Sequence, residues 1–216
     1  MVEAAWAYLL NHPKLFRDAL VTHLTLSASA LAIATILAAP LGIILGRYPR
    51  AALVAINAAN VARTVPSLAI LAIMLPILGT GFLPSLVALT ILAIPPILIN
   101  TSVGIRQVDP DAVESALGMG MSRLQVMGKI EVPMALPVIS AGVRTAGVQV
   151  VAGATLAAFI GGGGLGGFIT SGIALMQLPL LLVWAVPIAL LAIGTEILFH
   201  LLERTLTPRG MRPGSS

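Results

Sequence analysis

Long apolar blocks broken by brief polar punctuation dominate the chain. From Leu24 to Gly46 there is no charged residue, and the polar side chains are small (Thr25, Ser27, Ser29, Thr35). A helix over such a stretch is long enough to cross a hydrocarbon core of about 30 Å. Pro40 falls near its end, and Arg47 and Arg50 close it. The next apolar block starts at Ala51 and, apart from Arg63, carries no charge until after Ile105, which is too long for one crossing. The Gly79-Thr80-Gly81 turn, followed by Pro84, divides it. The pattern therefore predicts a second helix ending near Leu78 and a third from about Leu83 to Ile105. Both carry prolines expected to be internal kinks (Pro66, Pro76, Pro95, Pro96), which need protein or water nearby. Ala51 to Arg63 reads either as a short extra span or as the cytoplasmic start of the second helix; Asn57, Asn60 and Arg63 favour the latter. Beyond a polar stretch, a fourth span runs from Pro133 to about Ile160, a glycine-rich connection covers Gly161 to Gly172, and a fifth span covers Leu178 to His200. The expected fold is an all-α, polytopic transmembrane bundle of about five spans, with six possible.

Composition adds a boundary to this picture. With 216 residues, 58% hydrophobic, 9% charged and a mean hydropathy of +1.03, the chain has too little polar surface to cover a water-soluble globule of its size. One membrane domain over 1–216 is expected, with its core at 20–204, a cytoplasmic loop at 106–131 and a tail at 205–216. No polar segment is long enough for a soluble catalytic, ATP-binding or solute-binding domain, so the chain reads as one part of a complex. The net charge of +4 comes from basic residues scattered among apolar helices, which fits positive-inside topology better than nucleic-acid binding. Arg47/Arg50, the 106–129 stretch and the tail residues Arg204, Arg209 and Arg212 mark the cytoplasmic side, while the connections at 79–84 and 161–177 are uncharged. That alternation places the C-terminus and central loop in the cytoplasm; Lys14 and Arg17, partly offset by Asp18, fall outside. Cysteine is absent, so no thiolate metal site exists. Glu3, Asn11, His12, Pro13 and Asp18 are unlike a cleavable signal peptide.

The most informative segment is the polar stretch between the third and fourth spans. Asp109 and Asp111 flank Pro110 at the head of a helix-compatible run, a combination that suits a helix N-terminus. Glu114, Ser115, Ala116, Leu117 and Gly118 would then occupy a short helix with small residues, and Gly120 would permit the turn out of it. Glu114-Ser115-Ala116, three residues, Gly120, nine residues, Ile130, one residue, Val132-Pro133 resembles the EAA loop of ABC importer permeases. The family pattern has Ala at the position of Ser115 and Leu at that of Val132; both exchanges are close in volume. The resemblance implies a type I importer permease fold, and it implies that Asp111, Glu114, Ser115, Ala116, Leu117, Gly118, Gly120, Ile130 and Pro133 form a coupling loop that docks on a cytosolic ATPase.

A second resemblance narrows the first. Arg63-Thr64-Val65-Pro66-Ser67 and Ala158-Phe159-Ile160-Gly161, running into Gly162–Gly166 and then Ile173, look like stretches of permeases of the glycine betaine, carnitine and choline family of osmoprotectant importers. Methionine-importer permeases share close variants, so an amino-acid solute is the alternative. What this implies is a multi-pass protein of a bacterial inner membrane with no chemistry and no cofactor of its own. ATP would be bound by a partner ATPase, solute would be delivered by an extracytoplasmic binding protein, and a second permease copy or paralogue would complete the path within membrane lipid.

The remaining polar residues inside the spans are few. Pro66, Ser67, Asn100, Gln149, Gly161, Gly163 and Gly166 are candidates for the translocation path or its gate, against the alternatives of interhelical hydrogen bonding and a plain flexible turn. Gly161, Gly163 and Gly166 also spell a literal G-x-G-x-x-G, but a membrane helix precedes it and no acidic residue follows before Glu196, so the dinucleotide reading fails. Arg63, Arg144 and Glu196 are charges at membrane depth that must face protein or water, or snorkel to the interface. Glu196 could pair with either arginine. His12, His23 and His200 lack a carboxylate cluster, so no metal site or acid–base pair is assigned. Two Trp, two Tyr and five Phe, widely dispersed, are too few for an aromatic cage around a quaternary ammonium, so selection is expected to reside in the binding protein. An ion-coupled secondary transporter would carry ionisable residues near span centres and internal repeats, and an integral membrane enzyme would cluster Asp, Glu or His at one face; neither pattern is evident.

Overall fold

The structure is a computed structural model that describes residues 12–176 and 178–206, with side chains described throughout except at 178–180, 182–183 and 204–206. The tail arginines Arg209 and Arg212, Glu3 and Gln177 lie outside the described residues. Among the described residues every regular element is helical: α1 (Pro13–Gly46), α2 (Pro49–Ala62), α3 (Ser67–Leu78), α4 (Phe82–Arg106), α5 (Pro110–Gly118), α6 (Arg123–Val126), a π-helical turn (Met127–Glu131), α7 (Val132–Ala157) with a 3₁₀ turn at Ala158–Ile160, α8 (Gly166–Ala174) and α9 (Leu178–Leu206). Among the described residues four helical stretches are long and apolar enough to cross a membrane, namely 13–46, 82–106, 123–160 and 184–203, and α2 with α3 would make a fifth if the pair is one span.

The last helix runs past the expected end at His200 to Leu206, and three further boundaries differ from the sequence reading for local reasons. The first helix starts at Pro13, well before Leu24, because a proline in the first turn has no N–H to lose and the polar residues up to Asp18 do not oppose a helix. Ala51 to Arg63 does not form one continuous helix with the second span: α2 ends at Ala62, the axis turns by 87°, and Pro66 is the N-cap of a separate α3 rather than an internal kink. A proline disfavours helical geometry at the residue before it, which ends the run at Arg63–Val65. The Gly161–Gly172 connection holds the nine-residue helix α8. By contrast Pro95 and Pro96 are inside α4, and both are buried. Their missing N–H groups leave carbonyls of the preceding turn without helix partners, away from lipid.

The Cα packing divides into two compact units. One gathers the chain up to Ile33 with Val65–Ala93 and Gly147–Ile197. Its buried residues come from α1 (His23, Leu26, Ala30), α4 (Ala88, Leu89) and α7 (Val150, Val151, Ala154, Ala157). The glycine-rich turn closes onto them. The backbone N–H of Gly81 donates to the carbonyl of Ile160 at 2.7 Å, and Gly161, Gly163 and Gly164 all have positive φ. Trp184 is 1% exposed and stacks on Phe168 at 3.7 Å, with Phe16 at 5.9 Å from it.

The other unit gathers Ala34–Thr64, Ile94–Ala146 and the chain from Leu198. Here α4 is approached closely on two sides. Cβ atoms placed on Gly42 and Gly46 of α1 would fall 2.7 Å from Thr101 Cβ and 2.9 Å from Ile105 Cβ, and one on Gly142 of α7 would fall 2.6 Å from Asn100 Cβ. With Ala34 and Ala38, both buried, the two glycines of α1 form a stripe of small residues every fourth position. Backbones in contact along such a stripe gain dispersion energy and weak Cα–H···O contacts where the lipid supplies no hydrophobic drive. Below it Ile105, Val108, Ala135 and Ile139 form an apolar cluster, against which Ile43, Val113, Val132 and Met134 pack.

Candidate functional site

The loop between α4 and α7 is a sequence of helix starts and stops, each set by an identifiable residue. Asp109 is the N-cap of α5, its Oδ1 accepting the backbone N–H of Asp111 at 2.9 Å, with Pro110 at the first helical position. The helix stops nine residues later in a Schellman arrangement: Gly120 N–H donates to Leu117 O at 2.9 Å and Met121 N–H to Ala116 O at 3.2 Å. Gly120 sits at φ +86°, in the left-handed region that only glycine occupies at no cost. Two residues on, Ser122 and Gln125 form a capping box that starts α6, which runs through the π turn into α7.

The faces of α5 are sharply divided. Ala116 is buried and Val113 is half-buried on the Ile105–Ile139 cluster, whereas Asp111, Glu114, Ser115, Leu117 and Gly118 are exposed. The spacing of Glu114-Ser115-Ala116 to Gly120 thus has a physical meaning: the Ala116 carbonyl accepts the helix-stop bond from Met121 N–H and its small side chain is buried, while its neighbours project outward. Ile130 in the π turn and Pro133 in the first turn of α7 are half-buried, and Val132 lies on the same apolar cluster as Val113. A short helix with an exposed polar face results, seated through Ala116 and Val113 and bounded by its own caps.

The other predicted residues are dispersed. In the first unit, Pro66 is exposed and Ser67 half-buried at the start of α3; Gln149 is half-buried on α7; Gly161 and Gly163 are exposed in the turn and Gly166 is buried against the backbone of Thr155. Glu196 is exposed on α9. In the second unit, Asn100 spends its amide on its own helix, Nδ2 donating to Pro96 O at 2.8 Å, while its Cβ fills the space left by Gly142. Arg63 is exposed at the end of α2. Arg144 makes an ion pair with Glu203 at 3.1 Å, a carboxylate that sequence reading did not single out, and its Nη1 lies 3.4 Å from Nδ1 of His200. Three further features were missed. One is the small-residue stripe of α1, which its four-residue repeat could have revealed. The other two are the His23 Nε2–Val151 O contact at 3.0 Å and the Arg47–Glu131 ion pair, for which no local sequence signal exists. Among the described residues no group of three His, Cys, Asp or Glu could hold a metal.

The profile of the binding-protein-dependent transport system inner membrane component family matches residues 38–208, a segment that contains both the capped loop and the glycine-rich turn. The chain belongs to this family. It is 46% identical over 190 residues to the carnitine transport permease protein OpuCB of Listeria monocytogenes, covering 88% of this chain and 87% of that protein. It is 43% identical over 190 residues to the choline transport system permease protein OpuBB of Bacillus subtilis (strain 168), covering 88% of each. A chain of the inward-facing MetNI methionine ABC transporter superposes with a TM-score of 0.78 at 18% identity, covering 92% of this chain and 99% of that one, which establishes a shared fold. The permease is therefore a multi-pass inner-membrane transport subunit, and its family membership implies an ATPase and a solute-binding protein as partners. The fold matches the type I importer architecture expected from the EAA spacing.

Proposed function

We propose that this permease forms the translocation path for an osmoprotectant of the quaternary-amine class, such as glycine betaine, carnitine or choline, and that α5 is the element on which its ATPase pulls. The observation that carries the coupling role is the construction of α5: capped at both ends by its own residues, apolar underneath and free outside. Asp111, Glu114, Ser115, Leu117 and Gly118 form the docking face. Ala116 and Gly120 define its geometry, and Ile130 and Pro133 join it to the fourth span. ATP is bound and hydrolysed by the partner, and the permease contributes no cofactor or catalytic group. The path is completed by a second copy or a paralogue in the lipid bilayer, with the C-terminus on the cytoplasmic side.

For the solute, the support is the relatives named above together with the disposition of the aromatic residues. Trp184 is buried and stacked on Phe168, so this ring cluster is occupied by its own members rather than arranged as an open cage for a cation. Selection then falls to the binding protein, and the path needs only weak polar groups; Pro66, Ser67, Asn100, Gln149 and the Gly161–Gly166 turn are our candidates. The test is reconstitution of the permease with its ATPase and binding protein in proteoliposomes, followed by ATP-dependent uptake of labelled glycine betaine, carnitine, choline and methionine. Uptake of one of the first three, abolished by omitting either partner, supports the assignment. Transport of methionine alone would replace the solute, and uptake driven by an ion gradient without ATP would refute the mechanism.

A further inference from the structure

Arg47 lies outside every motif of the coupling loop, yet it is bonded to that loop. It is the residue after the end of α1, and its side chain crosses to the return leg of the loop. Nε and Nη2 approach Glu131 Oε2 at 3.0 and 2.5 Å, and Nη2 reaches the carbonyl of Arg123 at 3.5 Å. One guanidinium therefore holds both ends of the segment 123–131. Neither partner is freely solvated, the side chains being 29% and 12% exposed, so the pair is worth more than a surface ion pair, and removing one member strands the other charge.

Two further observations give the pair a mechanical meaning. First, the underside of α5 is incompletely packed: a cavity of about 260 Å³ is lined by Gly46, Arg47, Val113, Leu117, Arg123 and Glu131, among others. At that place push or pull on α5 is not transmitted to α1 by close-packed contact; the apolar cluster that Val113 and Ile43 share is one link between them. A second route runs through the Gly120 turn, the Ser122 cap, α6 and the π turn to Glu131, and from there to Arg47. Second, Glu131 ends a π-helical turn, a form that is rare and concentrates at functional sites. Slippage from π to α register shifts the turn by one residue, about 100° of rotation, and carries one end of the segment out of line with the other. The ion pair holds the register in which Glu131 faces Arg47.

We propose that Arg47 is a positioning residue of the transport cycle: its grip on Glu131 locks α6 and the π turn to the end of the first span, so that motion imparted to α5 moves α1 instead of being absorbed in the loop. This rests on the reading of α5 as the ATPase-docking helix. The test uses the assembled complex with its ATPase in nanodiscs. Because the chain has no cysteine, nitroxide labels can be placed uniquely on it at Ile44→Cys on α1 and Leu124→Cys on α6, both exposed. In the otherwise native complex the distance between labels should be narrow and the same in the nucleotide-free and ATP–vanadate-trapped states.

In Arg47→Ala and Glu131→Gln it should broaden and become nucleotide-dependent, with solute moved per ATP hydrolysed falling roughly fivefold or more while ATPase copurification is unchanged. The charge-reversed pair Arg47→Glu/Glu131→Arg should recover the narrow distance and most of the coupling ratio. Distances in Glu131→Gln identical to the native ones in both states would overturn the proposal. So would loss of the assembled complex in Glu131→Gln, which would make the pair a folding brace. Failure of the native permease to copurify with any ATPase would sink the docking-helix reading instead, and the inference with it.

Discussion

Replacing Gly120 by alanine isolates the backbone requirement of α5 from its surface chemistry, and so tests the docking role proposed for it. At φ +86° an L-side chain costs about 1–2 kcal/mol, and a Cβ at this position meets no atom within 4 Å, so the whole penalty is conformational and no packing loss is added. The nine-residue α5 is too short to be stable by itself, so a penalty in its stop signal is felt as fraying of the last turn, where Leu117 and Gly118 present the outer face. An equilibrium shifted by 1–2 kcal/mol changes a population by a factor of about 5–30, and ATPase affinity should fall by that factor. Affinity of the purified ATPase for the permease in nanodiscs measures it, with the thermal midpoint of the permease as a control that should stay within about 1 °C, because the bundle core is untouched. Gly118→Ala, helical and equally open, carries no such backbone penalty and should leave the thermal midpoint unchanged or slightly raised. Unchanged affinity in Gly120→Ala would refute the argument.

Three other outcomes are expected. Asp109→Ala removes the N-cap bond to Asp111 and should weaken ATPase binding by about 1 kcal/mol, with Asp109→Ser restoring most of it in the same binding assay. Gly142→Ala places a methyl group 2.6 Å from Asn100 Cβ and 2.9 Å from the Pro96 carbonyl, so overpacking of about 1–3 kcal/mol should lower the midpoint of thermal unfolding in detergent, whereas Gly194→Ala, in open space, should not. Gly166→Ala drives a methyl group into the Thr155 carbonyl, a rigid backbone neighbour, and should abolish a monodisperse peak in size-exclusion chromatography; the adjacent Gly167→Ala meets nothing within 4 Å and should keep it.

Much of the fold was legible in the sequence because lipid imposes a simple rule: an unbroken apolar stretch must satisfy its backbone internally, and a helix is the local way to do so. The boundaries at Leu78, Leu83, Ile105 and Ile160 were read to within a residue or so, since Gly and Pro punctuation fixes them. Errors arose where the signal is permissive. The N-terminal polar turns of α1 neither forbid nor require a helix. A break at Pro66 and a kink at Pro66 are written with the same letter, and a glycine-rich run admits the helix α8 as readily as a loop.

The helix starts and stops of the loop between α4 and α7 were legible for the same reason as the spans: Asp109, Pro110, Gly120 and Ser122 act on their own neighbours within a turn of helix, so spacing along the chain carries their meaning. Glu131 and Arg47 are separated by 84 residues, as His23 and Val151 are by 128, and no local pattern distinguishes a charge that will be gripped from one that will be solvated. Local chemistry along the chain suffices for a membrane bundle with a short, capped helix between α4 and α7. Which glycines are required by φ and which by an approaching backbone, and which charge anchors the loop, follow from the packing. Those outcomes depend on which helices lie side by side, and side-by-side packing in lipid is settled by contacts made across the whole chain.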